Sequence, residues 1–462
     1  MNQTSKTSLF KGKDGMNYLV PFILVTCLFF FWGVANNMTD TLLAAFKNIM
    51  KMNDFQTSFI QMAFYGSYAC FAIPAALLIR KYNFKTGIIF GLILYAAGTF
   101  LFYPASQFGS YAFYLFAIYI MAGGCSILET TANPYILSMG SPETATRRLN
   151  FAQSFNPIGS ITGIALSQYF ILSQLSANKN QMDAQQLQAA QTHELFAVTT
   201  TYMCVGITLL VLLIIILSYK NMPKGSDTDK TSFIQTMKGL AKRKNYTAGV
   251  IAQFFYVGAQ IGVWSYTIRY VMKTLGMVDP ITDAIIPAKV TGFIQNYPLW
   301  SDLWNFGPQT TAENIGNSFF LASVVLFMCS RFIFTALMKY LQPGLLLAFA
   351  AFCAVGATLV SIFGYGMTGV IGLVIISFFM SLMFPTIYGL ALNGLHGGEA
   401  KVGGSFLVMA ILGGALMTTM QGYVSTTGGD IRASYWVPLI GFAVVALYGL
   451  LTHNLEKPVH DK

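Results

Sequence analysis

Long apolar stretches with almost no charged residues recur along the whole chain. Of its 462 residues, 55% are hydrophobic and 10% are charged, whereas a soluble domain carries about 25% charged residues. So few charges cannot cover a water-facing surface, which excludes an ordinary soluble enzyme. At about 20 residues per spanning helix, the chain is long enough for around twelve transmembrane helices.

Hydropathy predicts twelve spans, at 18–46, 56–79, 86–104, 110–139, 149–174, 195–218, 247–273, 313–338, 344–365, 367–394, 402–426 and 433–452. A polar and basic segment, 219–246, separates six spans from six. We therefore predict an all-α integral membrane protein of two six-helix halves, 1–218 and 247–462, joined by that linker. The two halves are weakly similar to each other, for example FFWGVAN at 30–36 and FFYVGAQ at 254–260. Such repeats are typical of secondary transporters, which bind substrate near the bilayer midplane.

The positive charges predict the orientation in the membrane. With the N-terminus inside, the inner loops and termini hold 19 Lys and Arg residues and the outer loops hold 6. This asymmetry favours cytoplasmic termini. The net charge of +10 is then explained by basic loops facing the cytoplasm, so no nucleic-acid partner is expected. The outer segment 274–312, with Trp300 and Trp304, is either an interfacial cap with aromatic anchors or a substrate lid.

Only two of the 17 acidic residues, Asp40 and Glu129, lie well inside apolar spans. A charged side chain there costs at least ~2.5 kcal/mol on insertion scales and marks a functional pathway by default. The alternative is a buried acid that hydrogen-bonds to neighbouring helices.

Amide side chains accompany both acids. They are Asn36 and Asn37 before Asp40, Asn133 four residues after Glu129, and Asn150, Gln153 and Asn156 at three-residue spacing at the start of span 5. Amides both donate and accept hydrogen bonds, which suits a neutral polyhydroxyl ligand. The alternative is interhelical polar contact without a ligand.

The second half offers aromatic residues instead of acids. They are Tyr256, Trp264, Tyr266, Phe384 and Tyr388, accompanied by Gln253 and Gln260. An aromatic wall opposite a polar one suits a sugar ring. For each aromatic residue alone, ordinary packing is the alternative.

Several strings of the chain resemble the bacterial L-fucose–proton symporter family of the major facilitator superfamily. They include FFFWGVANNMTD, LETTANP at 128–134, RLNFAQSFNPIGS at 148–160, AQFFYVGAQIGVWSYTIRY at 252–270 and MFPTIYGL at 383–390. The loop after span 2, RKYNFK, lacks the aspartate usual in the superfamily, as it does in this family. The resemblance covers nearly all spans, and the segment 274–312 lies outside it.

The resemblance implies that Asp40 and Glu129 are the protonatable pair and that Trp264 lines the cavity. It also implies sugar contacts by the amides Asn37, Asn133, Gln153 and Asn156, and we add Glu129, Gln260 and Phe384 as candidate contacts. Phe384 stands where the family has tyrosine, which leaves the sugar open between L-fucose, glucose or galactose, and N-acetylglucosamine. A monomeric protein of the bacterial inner membrane is expected.

We accordingly expect a symporter that uses alternating access and a proton, with no bound cofactor. Sodium coupling, uniport, drug export and a sugar sensor without transport are the alternatives. An enzyme is not expected, because the four histidines lie at loops, span ends or the tail. None of the six cysteines has CxxC spacing, so no metal site is expected.

Overall fold

The computed structural model describes residues 18–50, 54–171, 174, 183–220, 222, 232–279, 285–307, 310–427 and 430–453. These residues are predominantly α-helical. In the first part of the chain the helices are α1 Leu19–Ile49, α2 Asp54–Lys81, α3 Phe84–Phe100, α4 Phe102–Phe108, α5 Tyr111–Ser138, α6 Ala145–Gln153, α7 Phe155–Phe170, α8 Ala184–Ser218 and α9 Phe233–Lys242.

The second part of the chain begins with a long helix and continues through several interrupted ones. Its helices are α10 Lys244–Thr274, α11 Pro287–Asn296, α12 Pro298–Leu303, α13 Ala312–Leu337, α14 Pro343–Phe363, α15 Met367–Met380, α16 Met383–Ala391, α17 Gly397–Met409, α18 Leu412–Thr427 and α19 Trp436–Leu451. Short 3-10 turns cover Pro142–Thr144 and Ile431–Tyr435.

Ten helical stretches within the described ranges are long and apolar enough to cross a membrane. The predicted spans 149–174 and 247–273 are not among them. The first is interrupted at Ser154, between α6 and α7. The second corresponds to α10, which has 31 residues but carries Gln253, Gln260 and Arg269 among its apolar ones.

The sixth span begins earlier than hydropathy predicts. Residues from Ala184 are helical, although 175–194 was expected to be a loop. Asp183 caps this helix by accepting a hydrogen bond from the backbone N–H of Gln186, and the Gln186 side chain accepts one from the backbone N–H of Asp183. This reciprocal cap starts a helix in a polar sequence that hydropathy cannot assign.

Contacts divide the chain into two compact units. The first contains the described residues up to Val250 together with Ala391–Leu412, and the second contains Ile251–Leu390 and the described residues from Gly413 onward. In the first unit α5 packs against α2 and α3, α1 packs against α7, and α17 packs against α2 and α5. In the second unit α14 packs against α15 and α19, and α13 packs against α15. The predicted division around the linker 219–246 stays a prediction.

Glycines allow α1 and α7 to approach each other closely. A Cβ atom at Gly159 would clash with the carbonyl oxygen of Phe30, and one at Gly33 would clash with that of Asn156. Helix interfaces inside membranes favour small residues for this reason. The contact fixes the start of α7 against the middle of α1.

Candidate functional site

Glu129 lies near the middle of α5, in a stretch where every residue from Met121 to Ile136 is buried. Its side chain is 3% exposed, and neither carboxylate oxygen has a hydrogen-bond partner among the described residues. A buried carboxyl group without partners is costly unless it is protonated or meets a ligand. The structure therefore places the predicted acid where a proton or a substrate hydroxyl would complete its hydrogen bonding.

Asn133 and Gln153, two of the amides expected to contact the sugar, bind each other. Gln153 donates a hydrogen bond of 2.8 Å from its amide to the Asn133 side-chain oxygen, which joins α6 to α5. Both side chains are buried, and the amide nitrogen of Asn133 has no partner among the described residues. Because Asn133 follows Glu129 by one helical turn, its free donor and the carboxylate lie on one face of α5.

The remaining predicted amides of the first unit bind backbone carbonyl groups. Asn156 is half-buried and donates 3.1 Å to the oxygen of Phe29, and Asn37 is buried and donates 3.3 Å to that of Gly33. Asn150 donates 3.0 Å to the oxygen of Thr146. Of the three amides at three-residue spacing, Gln153 therefore binds another amide, whereas Asn150 and Asn156 bind backbone carbonyl groups.

Asp40 lies in helix α1, three residues after Asn37. Its side chain lies outside the described residues, so the expected grouping of Asn36 and Asn37 with Asp40 stays a prediction. The proton-transfer role of Asp40 stays a prediction.

Two aromatic residues near Glu129 were missed by sequence reasoning. The indole nitrogen of Trp32 donates a hydrogen bond to the hydroxyl of Tyr68, which connects α1 to α2. Ser126, three residues before Glu129, donates 3.2 Å to the backbone oxygen of Tyr68 and so holds α2 against α5. Trp32 belongs to the FFFWGVANNMTD string, and a tryptophan inside an apolar span is a signal for a buried polar partner, because its indole N–H needs an acceptor.

In the second unit, Trp264 is half-buried in an aromatic cluster. Its indole nitrogen donates 3.2 Å to the hydroxyl of Ser377, and its ring meets Phe327 and Phe320 edge-on at centroid distances of 5.0 and 6.3 Å. A ring fixed in this way can present an apolar surface to a sugar ring.

Phe384 lies at the start of α16, 6% exposed, with Tyr256 and Tyr388 at centroid distances of 6.4 and 6.3 Å. Gln260 is half-buried one turn after Tyr256 on α10. Gln253 on the same helix is fully buried, and neither its amide nitrogen nor its oxygen has a partner among the described residues. Sequence reasoning noted Gln253 but did not include it among the substrate contacts.

Arg331, which falls within the predicted span 313–338, is buried inside the second unit. It donates 2.6 Å from Nε to the carbonyl oxygen of Ser381, where the helical run from α15 to α16 is interrupted. Tyr256 donates 2.9 Å to the carbonyl oxygen of Met380 at the same interruption, and Ser330 donates 2.8 Å to the Ser381 hydroxyl. Arg331 and Tyr256 thus satisfy two carbonyl groups at the interruption, and Ser330 binds the Ser381 side chain beside them.

The chemistry of each unit follows from these contacts. The first unit supplies a buried acid and paired amides, which suit hydrogen bonding to hydroxyl groups. The second supplies aromatic faces together with one buried, unpartnered glutamine. In the part of the chain that the structure describes, no three His, Cys, Asp or Glu side chains group closely enough to hold a metal ion.

Comparison with known proteins assigns the family. The sequence pattern of the Major Facilitator Superfamily matches residues 22–418. The L-fucose–proton symporter of Haemophilus influenzae is 40% identical over 456 residues, which cover 95% of this chain and 98% of that protein. The Escherichia coli L-fucose–proton symporter is 36% identical over 460 residues, with 97% of each chain covered.

A solved structure agrees with this assignment. The crystal structure of FucP, a major facilitator superfamily transporter in the outward conformation, matches with a TM-score of 0.80 and 34% identity, over 94% of this chain and 99% of that one. The predicted all-α integral membrane fold is confirmed. The chain belongs to the major facilitator superfamily, in the branch that its similarity to the L-fucose–proton symporters defines.

Proposed function

We propose that this protein imports a neutral monosaccharide together with a proton, and that L-fucose is its substrate. The observation that carries the proposal is Glu129, a buried carboxyl group whose oxygens have no protein partner among the described residues. It lies one helical turn from Asn133, whose amide nitrogen also lacks a hydrogen bond of normal geometry among the described residues. The chain is a transporter rather than an enzyme, as the names of its relatives indicate.

The acid and the amide together provide a way to couple proton and sugar. Protonated Glu129 donates a hydrogen bond to a sugar hydroxyl, while Asn133 donates one to a second oxygen of the sugar. Loss of either ligand leaves buried polar groups unsatisfied, so proton and sugar stabilise each other's binding. In this scheme Glu129 couples the two ligands, and Asp40 carries the main proton-translocating step.

The proton gradient is large enough to drive accumulation. One proton moving down about one pH unit and about 100 mV supplies about 3.7 kcal/mol, which sustains roughly 500-fold accumulation of a neutral sugar. No prosthetic group is needed for this work, and the proton is the coupling ion of the named relatives.

The experiment is transport in proteoliposomes with two assays for each variant. Asp40→Asn should keep sugar counterflow, which needs no net proton movement, and lose uptake driven by a pH gradient. Asp302→Asn is the matched control, because Asp302 is exposed in α12, and it should keep both activities. If pH-driven accumulation persists in the double variant Asp40→Asn, Glu129→Gln, proton coupling through this pair is wrong.

The sugar and the ion are tested in the same system. Competition of counterflow by L-fucose, D-galactose, D-glucose and N-acetylglucosamine identifies the substrate. The three sugars other than L-fucose are alternatives, because Phe384 stands where the family has tyrosine. Uptake with and without sodium at constant pH separates proton coupling from sodium coupling. A sugar that binds without counterflow would indicate a sensor.

We also infer that the protein works as a monomer with both termini in the cytoplasm. A single chain carries every residue assigned here to coupling and sugar binding, and the excess of basic residues in alternate loops supports this orientation. The helical composition and the bacterial relatives support a multi-pass protein of the inner membrane.

A further inference from the structure

The segment between α10 and α13 folds into a compact pair of short helices. Val278 and Ile285 form an isolated antiparallel bridge, and the backbone N–H of Ile286 donates 2.8 Å to the oxygen of Met277. Helices α11 and α12 follow, separated by Tyr297 alone. We call residues 285–307 the outer hairpin.

Aromatic residues fix the outer hairpin to the side of α13. Trp300 stacks on Phe319 with a centroid distance of 4.4 Å and an angle of 12° between the rings. The Trp300 indole nitrogen donates 2.9 Å to the hydroxyl of Ser318. Phe293 of α11 meets Phe319 edge-on at 6.1 Å. Both helices of the hairpin therefore pack on the same residue of α13.

The position of Phe319 along α13 gives the depth of this contact. Helix α13 has 26 residues, so it is about 39 Å long and exceeds a hydrocarbon core of about 30 Å by roughly 4–5 Å at each end if it is centred. Phe319 follows Ala312 by seven residues, which corresponds to about 10 Å along the axis. The contact thus lies about 6 Å inside the boundary between headgroups and acyl chains.

The exposed side of α12 carries two leucines, with Asp302 at their edge. Leu299 is 87% exposed and Leu303 is 71% exposed, and their spacing of four residues places them on one helical face. The described residues 285–307 carry only two charged side chains, Lys289 and Asp302. Two nearly fully exposed leucines in water are unfavourable, whereas the same residues at a bilayer surface are stabilised.

We propose that α12 is an interfacial helix whose Leu299 and Leu303 insert into the lipid leaflet where the hairpin emerges. The occupant of this apolar face is lipid, because Trp300 fixes α12 to α13, a helix long and apolar enough to cross a membrane, at the level of Ser318 and Phe319. That contact lies about 6 Å inside the hydrocarbon boundary, which is the depth at which an interfacial helix buries its apolar face. A substrate lid would instead present polar groups to the sugar.

The hairpin also reaches the aromatic cluster of the second unit through α13. Phe319, which receives Trp300, is followed by Phe320, which meets the ring of Trp264 edge-on. An anchored hairpin therefore restrains the part of α13 that contacts Trp264. This function is independent of which sugar or ion is transported.

The test measures the depth of α12 in liposomes by spin labelling. The six native cysteines are replaced by serine, and a nitroxide is attached at Leu299→Cys or, as the control, at Lys289→Cys on α11, whose side chain is exposed. We expect the ratio of collision rates with oxygen and with a water-soluble nickel chelate to be several-fold higher at 299 than at 289. Equal ratios would overturn the proposal. A label at 299 shielded from both reagents would also overturn it, because the face would then be covered by protein.

A second measurement keeps the native cysteines, in case their replacement prevents folding. A benzoylphenylalanine at position 299 is irradiated in phosphatidylcholine liposomes, and the products are identified by mass. Lipid adducts support the interfacial helix. The same crosslinker at position 289 is the control. Adducts that join two copies of the chain contradict the proposal, and so does a position 299 that forms no more lipid adducts than position 289.

Discussion

Arg331 donates a hydrogen bond from Nε to the carbonyl oxygen of Ser381, at the interruption between α15 and α16. Its guanidinium group also lies over the ring of Phe327, 4.6 Å from the centroid, and Phe327 packs against Trp264. A single buried cation thus contacts both the interrupted helix and the aromatic cluster. It stabilises the start of α16, where Phe384 lies.

The first prediction concerns this cation. Arg331→Lys keeps the charge but removes the planar donor, so the Ser381 carbonyl loses its partner, at a cost of about 1–3 kcal/mol. We expect a lower melting temperature in detergent and reduced counterflow. Arg269→Lys, at an exposed position of α10, is the control and should melt like the parent protein. Identical melting of both variants would show that the contact does not stabilise the interruption.

The second prediction concerns the hydrogen bond between Gln153 and Asn133. Gln153→Leu removes the donor and leaves the Asn133 oxygen unsatisfied, so Asn133 is no longer held for the sugar. We expect KM for sugar counterflow to rise about tenfold, equivalent to about 1.4 kcal/mol. Gln188→Leu, at an exposed position of α8, should leave KM unchanged. An unaltered KM in Gln153→Leu would remove this pair from the sugar site.

The third prediction tests the close contact of α1 and α7. Gly159→Ala introduces a Cβ atom against the carbonyl oxygen of Phe30, and overpacking of this kind costs about 1–3 kcal/mol. We expect a lower melting temperature and weaker sugar binding, because Asn156 lies in the same turn. Gly66→Ala has nothing within 4 Å of the new atom, and it should be neutral or slightly stabilising. Equal effects of both substitutions would contradict the packing described for α7.

The fourth prediction concerns sugar selectivity. Phe384→Tyr adds a hydroxyl group beside Tyr256 and Tyr388, and a hydrogen bond to one sugar but not another is worth about 0.5–1.5 kcal/mol. We expect the ratio of inhibition constants for L-fucose and D-galactose to change by up to about tenfold in competition assays. Phe352→Tyr, exposed on α14, should not alter it. A constant ratio would show that residue 384 does not contact the hydroxyl groups that distinguish these sugars.

The sequence predicted the features that depend on composition and on spacing within one helix. Scarcity of charge indicated the membrane fold, and the isolated Glu129 and the amide Asn133 one turn later proved to be buried neighbours. The bond between Asn133 and Gln153 joins residues of two helices, and the sequence did not predict it, although both residues lie within strings that resemble the family. The span 149–174 was predicted as one continuous helix, whereas the structure divides it at Ser154 into α6 and α7. Serine is not a strong helix breaker, so nothing in the sequence indicated this division.

Other parts of the site depend on tertiary contacts that no local pattern contains. Trp32 and Tyr68 form a hydrogen bond between two helices. No spacing pattern in the sequence predicts this bond, because the two residues are 36 positions apart. Arg331 lies seven residues before the end of the predicted span 313–338, where a long cationic side chain could reach the interface. In the structure its head group is buried because the carbonyl group of an interrupted helix accepts its hydrogen bond.

Residues Ala391–Leu412 group with the first compact unit, although they lie late in the chain. Helix α17 packs against α2 and α5, the hydroxyl of Tyr246 donates 2.9 Å to the oxygen of Gly403, and Arg243 forms a 2.9 Å ion pair with Glu399. A chimera that exchanges halves with a relative at the linker would therefore combine α17 of one protein with α2 and α5 of another. A chimera should fold best when α17 and the N-terminal half come from the same protein.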